Sequence, residues 1–251
     1  MGIERTIEQL RQHGWAKAEL DAADVAGNCS RLEELLDELG TPLHVFRRFP
    51  FWKPIGTDLD RPLGKSGGTG LNSLHTDCVN MAQPPDYVVL LCVRADPAGG
   101  GGSLVSSTDG LARRLTPQTL DTLAEIQLSE GYGVDLDGVG GTLERFRVFD
   151  ENGYCRYTGR SLEDATPGSA AFHALLELDR VLMEGSERTM LEDGEAMVID
   201  QRRCLHGRLP LGPGQELVPD EARRLVVQAF GRAARLTQAA ASRSTAEPAL
   251  A

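Results

Sequence analysis

The stretch NSLHTDCVNMAQPPDYVVLLCVRADPAGGGGSLV, residues 72–105, decides how this chain is read. It places His75 and Asp77 two residues apart. On a β-strand alternate side chains share a face, so residues 75 and 77 would point one way and Thr76 the other. His-x-Asp then presents one nitrogen and one carboxylate oxygen to a single point. A third ligand is offered by His206, in Cys204-Leu205-His206-Gly207-Arg208, just beyond the apolar run Ala196–Asp200. Two imidazoles and one carboxylate are the ligand set of a facial triad that holds non-haem Fe(II) and leaves its other face open. His13 and His173 fall in helical segments, and His44 has no acidic residue two positions on. A His-x-Asp alone is common, and a lone histidine is more often a capped or surface residue, so the flanking sequence has to decide.

Outward from that stretch the pattern is mostly β. Strands are expected at Leu43–Arg48, Asn72–Asn80, Tyr87–Arg94, Leu143–Phe149, Tyr154–Tyr157, Ala196–Asp200 and Arg223–Phe230, with a turn at Asp150–Gly153. Residues 3–20 read as an amphipathic helix. A second helix opens at the capping box Ser30-Arg31-Leu32-Glu33 and stops at Gly40. Thr116-Pro117 caps a third. Ala170–Glu184 is a fourth, with Phe172, Leu175, Leu176 and Leu182 inward and Gly185 at its end. The glycine-rich segment 56–70 reads as a mobile loop, either a lid or a surface loop. The tail from 236 to 251 has no apolar period and is expected to be disordered. The expectation is one domain over residues 1–235, mainly β with flanking helices.

Composition excludes several classes. The 251 residues carry a formal charge of −11, which opposes nucleic-acid and anionic-membrane binding. No apolar run reaches the roughly 18 residues that span a bilayer. The five cysteines form no CxxC pair and no charged-then-apolar leader is seen, so free thiols in the cytoplasm are expected. Nothing in the sequence sets an oligomeric state.

The flanks of the triad resemble the Fe(II)/2-oxoglutarate-dependent dioxygenases of the taurine dioxygenase and clavaminate synthase type. The first matching block is His75-Thr76-Asp77, Pro84-Pro85, the apolar strand Tyr87–Val93, then Asp96-Pro97 and Gly99–Gly102 with Ser103. The second is Gly194-Glu195, Val198-Ile199-Asp200, Arg202-Arg203, His206-Gly207-Arg208 and Arg223-Arg224-Leu225. The resemblance implies a double-stranded β-helix, or jelly roll. It implies that His75, Asp77 and His206 hold the iron. Ser103 stands where the family has a threonine and Arg224 where it has an arginine, the two that bind the far carboxylate of 2-oxoglutarate. The Pro- and Gly-rich loop 209–220 widens the gap between His206 and Arg224. A second arginine of the family, which binds an acidic substrate group, is replaced here by Gln228. Gln228, Asn72, Arg145 and Arg156 are therefore candidate substrate contacts, with Arg147 and Arg160 in the same variable region.

The implied activity is oxidation of an unactivated C–H bond of a small molecule, such as an amino acid or specialised metabolite, free or tethered to a carrier protein. Dioxygen is consumed, and 2-oxoglutarate leaves as succinate and CO₂. An aspartate at position 77, where related halogenases have a small residue, favours hydroxylation, desaturation or cyclisation over halogenation. Two other readings compete: a redox-neutral hydrolase or isomerase using a divalent metal, and a non-catalytic double-sheet binding domain.

Overall fold

The computed structural model describes residues 2–20, 24–46, 48–62, 66–129, 141, 143, 145–150 and 153–234. The expected tail 236–251 lies outside them. The elements are α1 (Ile3–His13), β1 (Trp15–Glu19), α2 (Val25–Leu39), β2 (Gly40–Leu43), β3 (Lys53–Gly56), β4 (Asn72–His75), β5 (Tyr87–Arg94), β6 (Ser103–Ser107), α3 (Pro117–Glu125), β7 (Gln127–Leu128), β8 (Phe146–Arg147), α4 (Arg160–Asp164), α5 (Ala170–Glu184), β9 (Ser186–Thr189), β10 (Glu195–Asp200), β11 (Cys204–Arg208) and β12 (Leu225–Ala233).

Two antiparallel sheets face each other. The larger runs β1-β10-β5-β12-β2, with β3 also paired to β12; the smaller runs β4-β11-β6-β9. Alternation along the strands builds four layers. Val88, Cys92, Val105, Met197, Ile199 and Phe230 fill the space between the sheets. Tyr87, Val89, Leu91 and Val198 point the other way, onto α1 and α2. Leu74, Leu104 and Leu205 leave the smaller sheet toward Leu175, Leu178 and Leu182 of α5. Each fully buried leucine is worth about 1.5–3 kcal/mol relative to exposure, so the strands that carry the histidines are anchored from behind.

The N-terminus departs from its expected form. The helix ends at Gly14, whose φ of 78° is left-handed and whose N–H bonds to Leu10 O. Trp15–Glu19 then pair with β10, Trp15 opposite Ile199, instead of continuing the helix. The second helix begins before Ser30. Asp24 is its cap, accepting from Gly27 N at 2.7 Å, and Ser30 Oγ donates to Ala26 O within the helix. Gly40 ends that helix as expected. In α5, Leu175 and Leu182 are buried, but Leu176 is 45% exposed and Ala174, Leu178 and Val181 complete the inward face.

The strands depart more. β5 and β10 match expectation closely, whereas among the described residues of the segment 43–48 only Leu43 is in a strand. The described residues of 143–157 contribute only β8 and an isolated bridge, Phe149 to Cys155. The turn closes through Gly153 N to Asp150 O at 2.9 Å. β6 and β11 escape the apolar-alternation reading because they carry Ser103, Ser106, His206 and Arg208 at buried positions. β3 holds Pro54 and pairs only with β12, an edge position that tolerates proline.

Candidate metal centre and cosubstrate site

His75 ends β4 and His206 lies in the middle of β11, directly opposite it in register. Asp77 is not on the strand, contrary to the alternation argument. It sits in the turn that follows, and Cys78 there takes a left-handed φ of 56°. A non-glycine residue in that region costs on the order of 1–3 kcal/mol and persists only where its surroundings fix it. Here Met81 N bonds to Cys78 O at 2.9 Å, and Asp77 N donates to Gln201 Oε1 at 2.6 Å. The Gln201 amide donates in turn to Pro85 O at 3.0 Å. Gln201 thus clamps the turn to the Pro84-Pro85 segment, and this brings Asp77 beneath the two rings.

His206 Nε2 lies 3.2 Å from Asp77 Oδ2, and His75 Nε2 lies 3.5 Å from Asp77 Oδ1. All three ligand atoms fall within 4.8 Å of one another. Adjacent ligands of an octahedral ion at about 2.1 Å stand about 3 Å apart, close to this arrangement. His75 Nδ1 contacts Ser73 O at 2.7 Å, which puts the proton on Nδ1 and leaves the Nε2 lone pair toward Asp77. His206 Nδ1 is buried with no protein partner among the described residues. Burial works to raise the Asp77 pKa, but the two imidazoles, His206 foremost, hold its carboxyl well below the usual range. Burial pulls His206 down. The donor set, its convergence and an ionised carboxylate together fit a divalent metal. Gly207 makes the close strand approach possible, since a Cβ there would meet Asn72 O at 2.7 Å.

The second half of the site is built on β6, β11 and β12. Arg208 lies opposite Ser103 in register and two residues from His206, on the same face. Its guanidinium is spent on carbonyls, Gly68 O at 2.6 Å, Gly70 O at 2.8 Å and Leu209 O at 2.7 Å. These bonds, with Asp58 N to Gly67 O, tie down the described part of the segment 56–70. Arg224 has no charged partner and no side-chain hydrogen bond among the described residues. Burial lowers its pKa, against the pull of Cys92 and Asp96. Gly101 packs on its stem: a Cβ there would lie 3.2 Å from Arg224 Cδ and Nε. Arg223, its neighbour, is turned away to Asp220 and Val218 O. A half-buried guanidinium without a partner is costly unless an anion completes it. The Ser103 hydroxyl is likewise unpaired among the described residues and 5% exposed.

Residues 53–227 match the family described as Taurine catabolism dioxygenase TauD, TfdA family. The chain belongs to that family. Among solved structures, asparagine oxygenase in complex with Fe(II), 2S,3S-3-hydroxyasparagine and succinate is 20% identical with a TM-score of 0.70, over 92% of this chain and 79% of that one. The non-heme iron oxygenase OrfP in complex with Fe and alpha-ketoglutaric acid is 16% identical with a TM-score of 0.62, over 91% and 78%. At these identities the likeness establishes the fold, which is the jelly roll of the TauD, TfdA family. No helix among the described residues is long and apolar enough to cross a membrane.

The other expected contacts scatter. Gln228 meets the candidate triad itself, with Nε2 donating to Asp77 Oδ2 at 2.7 Å. Asn72 is half-buried on β4, opposite Arg208. Arg145 and Arg156 line a cavity of about 940 Å³ whose lining includes Thr76 and Gln201 but none of the three triad residues. Arg156 is held there by Met81 O and Ala82 O. Two supporting residues, Gln201 and Asp96, were not among the expected site residues. Gln201 and Gln228 orient Asp77. Asp96 accepts from Ala98, Gly100 and Gly212 N–H groups and from Gln215, fixing the glycine run against the loop before Arg224. Gln228, a polar residue between Val226 and Phe230 on β12, was expected as a substrate contact and donates to Asp77.

Gln201→Leu removes the acceptor for Asp77 N–H and the clamp to Pro85. Fe(II) affinity should fall by roughly 10–100-fold, the usual cost of losing a group that orients a ligand, with little change in the melting temperature of the metal-free protein. Isothermal titration with Fe(II) under nitrogen checks this.

Proposed function

We propose that this TauD, TfdA-family protein is an Fe(II)- and 2-oxoglutarate-dependent oxygenase that hydroxylates a small molecule of the amino-acid class. The observation that carries the reading is the convergence of two imidazole nitrogens on the two oxygens of one half-buried carboxylate. His75, Asp77 and His206 would hold the metal. Arg224 and Ser103 would take the far carboxylate of 2-oxoglutarate, a fork for two oxygens and a hydroxyl donor. When bound, iron and 2-oxoglutarate supply the O₂-dependent oxidising power, and 2-oxoglutarate leaves as succinate and CO₂. The chain's own contribution is placement. Gln201 and Gln228 fix Asp77, Ser73 O sets the His75 tautomer, and the apolar residues between the sheets exclude water from the reacting centre.

The molecules named in complex with the two structural relatives, 2S,3S-3-hydroxyasparagine and (3S)-hydroxy-L-Arg, support the amino-acid class. The oxygenase domain is read as residues 1–235. A role in specialised metabolism, on a free or carrier-tethered substrate, accords with this, and five free thiols accord with a cytoplasmic setting. Desaturation or cyclisation would use the same residues. Succinate formation from 2-oxoglutarate in air tests the reading: it should require added Fe(II) and rise further with an accepted amino acid. Succinate at the level of a metal-free control would exclude it.

A further inference from the structure

Resting on the oxygenase reading above, we infer that Lys53 is the substrate anchor of this site: its ammonium, on an aromatic shelf beside the triad, binds a free carboxylate of the substrate.

The placement follows from the sheet. β3 pairs antiparallel with β12, and Lys53 lies directly opposite Gln228. Directly opposed residues share a face of the sheet. Gln228 reaches Asp77 from that face at 2.7 Å, so the Lys53 stem leaves the sheet on the side of the metal ligands. Lys53 Nζ sits 3.9 Å from the centroid of Phe46 and 5.6 Å from that of Phe49. The two rings meet edge to face at 6.4 Å, and Phe46 also packs on Phe230 of β12 at 5.7 Å. Phe46 and Phe230 belong to the cluster between the sheets, while Phe49 is 44% exposed, so the ammonium sits at the edge of that space.

It is also unfinished. Lys53 forms no ion pair and no hydrogen bond among the described residues. A cation–π contact satisfies charge in part but leaves the three N–H donors of an ammonium without acceptors. Burial pulls its pKa down, and Asp77 is the first of the neighbours to oppose that pull. Asp77 is not its partner, because that carboxylate is shared by both imidazoles and Gln228. The other cations around the site are committed. Arg208 is spent on carbonyls, Arg160 is not free, and Arg224 is assigned to the cosubstrate. An anion arriving over the triad finds in Lys53 the one side chain of these four with donors to spare and no assigned partner. Phe46 and Phe49 beside it would pack the apolar part of the same molecule.

The chemical class follows. A lone, half-desolvated ammonium selects a carboxylate over its neutral amide or ester. A substrate joined to a carrier through that carboxyl as a thioester lacks the charge. The inference therefore favours a free acid over a carrier-tethered substrate. The carboxylate it binds is not itself altered in the reaction, so the contact is made equally in ground and transition states. Its loss should appear in KM rather than kcat.

The test uses the Fe(II)-loaded full chain with 2-oxoglutarate and a panel of the twenty common L-amino acids beside their carboxamides. Succinate is read in air, and the visible Fe(II)–2-oxoglutarate band under nitrogen. At least one acid should accelerate succinate formation and perturb the band, while its carboxamide does neither at equal concentration. Lys53→Met should still form the band, showing a folded site. Its KM for that acid should rise at least about tenfold, as for a lost hydrogen bond to a charged group, with kcat within about threefold. Lys53→Arg, which keeps the charge, should recover much of the KM. The inference is overturned if carboxamides serve as well as acids, or if Lys53→Met leaves KM unchanged. It is also overturned if no acid accelerates turnover while the band forms, which leaves the oxygenase reading standing. Absence of the band from the unmodified protein would overturn that reading and this inference with it.

Discussion

A His206→Ala protein is expected to keep its fold and lose its iron. His206 is 5% exposed in the middle of β11, hydrogen-bonded in register to both β4 and β6, while Leu205 beside it points into the α5 layer. Truncation leaves that outer packing untouched and removes one of three converging donors. Two remaining ligands, His75 and Asp77, cannot define one face of an octahedral ion. The loss of Fe(II) affinity should exceed about 100-fold, since even groups that only orient the ligands are worth roughly 10–100-fold. Succinate formation should fall to the level of a metal-free control. Iron content after anaerobic desalting, with circular dichroism as the check on folding, reads the result. A non-catalytic binding domain would tolerate the same change, because nothing in its partner contacts would depend on the imidazole.

The second large effect belongs to Arg224. Replacing it with Met keeps the stem that Gly101 packs against and deletes only the guanidinium. Losing one partner of a buried charge pair costs about 2–5 kcal/mol, so KM for 2-oxoglutarate should rise at least about 30-fold. Arg223→Met is the control. Its guanidinium pairs with Asp220, which is 86% exposed, and with Val218 O, outside the site. Its effect should stay within about threefold, the scale of surface changes near ±0.5 kcal/mol. Steady-state kinetics of both variants over a range of 2-oxoglutarate separates them. A redox-neutral metal enzyme would show no such contrast, because it has no need of a second carboxylate-binding cation.

Much of this could be read before the structure was seen, and the exceptions have physical causes. α5 runs from Ala170 to Glu184 and β5 from Tyr87 to Arg94, as their periodicity and apolar content require. The convergent trio His75, Asp77 and His206 was legible because chemistry restricts which residues can serve. β6 and β11 were not, because the site puts serine, histidine and arginine where a buried strand would otherwise carry valine or isoleucine. Asp77 was placed on the correct side for an incorrect reason. A turn, not strand alternation, brings it beneath the rings, and that turn depends on Gln201, 124 residues away. The pairing of Lys53 with Gln228 is of the same kind. Register between distant strands is set by the whole sheet, and no local pattern near residue 53 encodes it.

The central claim is that one iron and one molecule of 2-oxoglutarate share the site made by His75, Asp77, His206, Ser103 and Arg224. The most direct test is an anaerobic titration of the Fe(II)-loaded protein with 2-oxoglutarate, followed in the visible range. A charge-transfer band should grow to saturation at one equivalent in the unmodified protein, be absent from His206→Ala, and require far more 2-oxoglutarate in Arg224→Met. A protein that binds Fe(II) tightly yet develops no band at any concentration of 2-oxoglutarate would contradict the account.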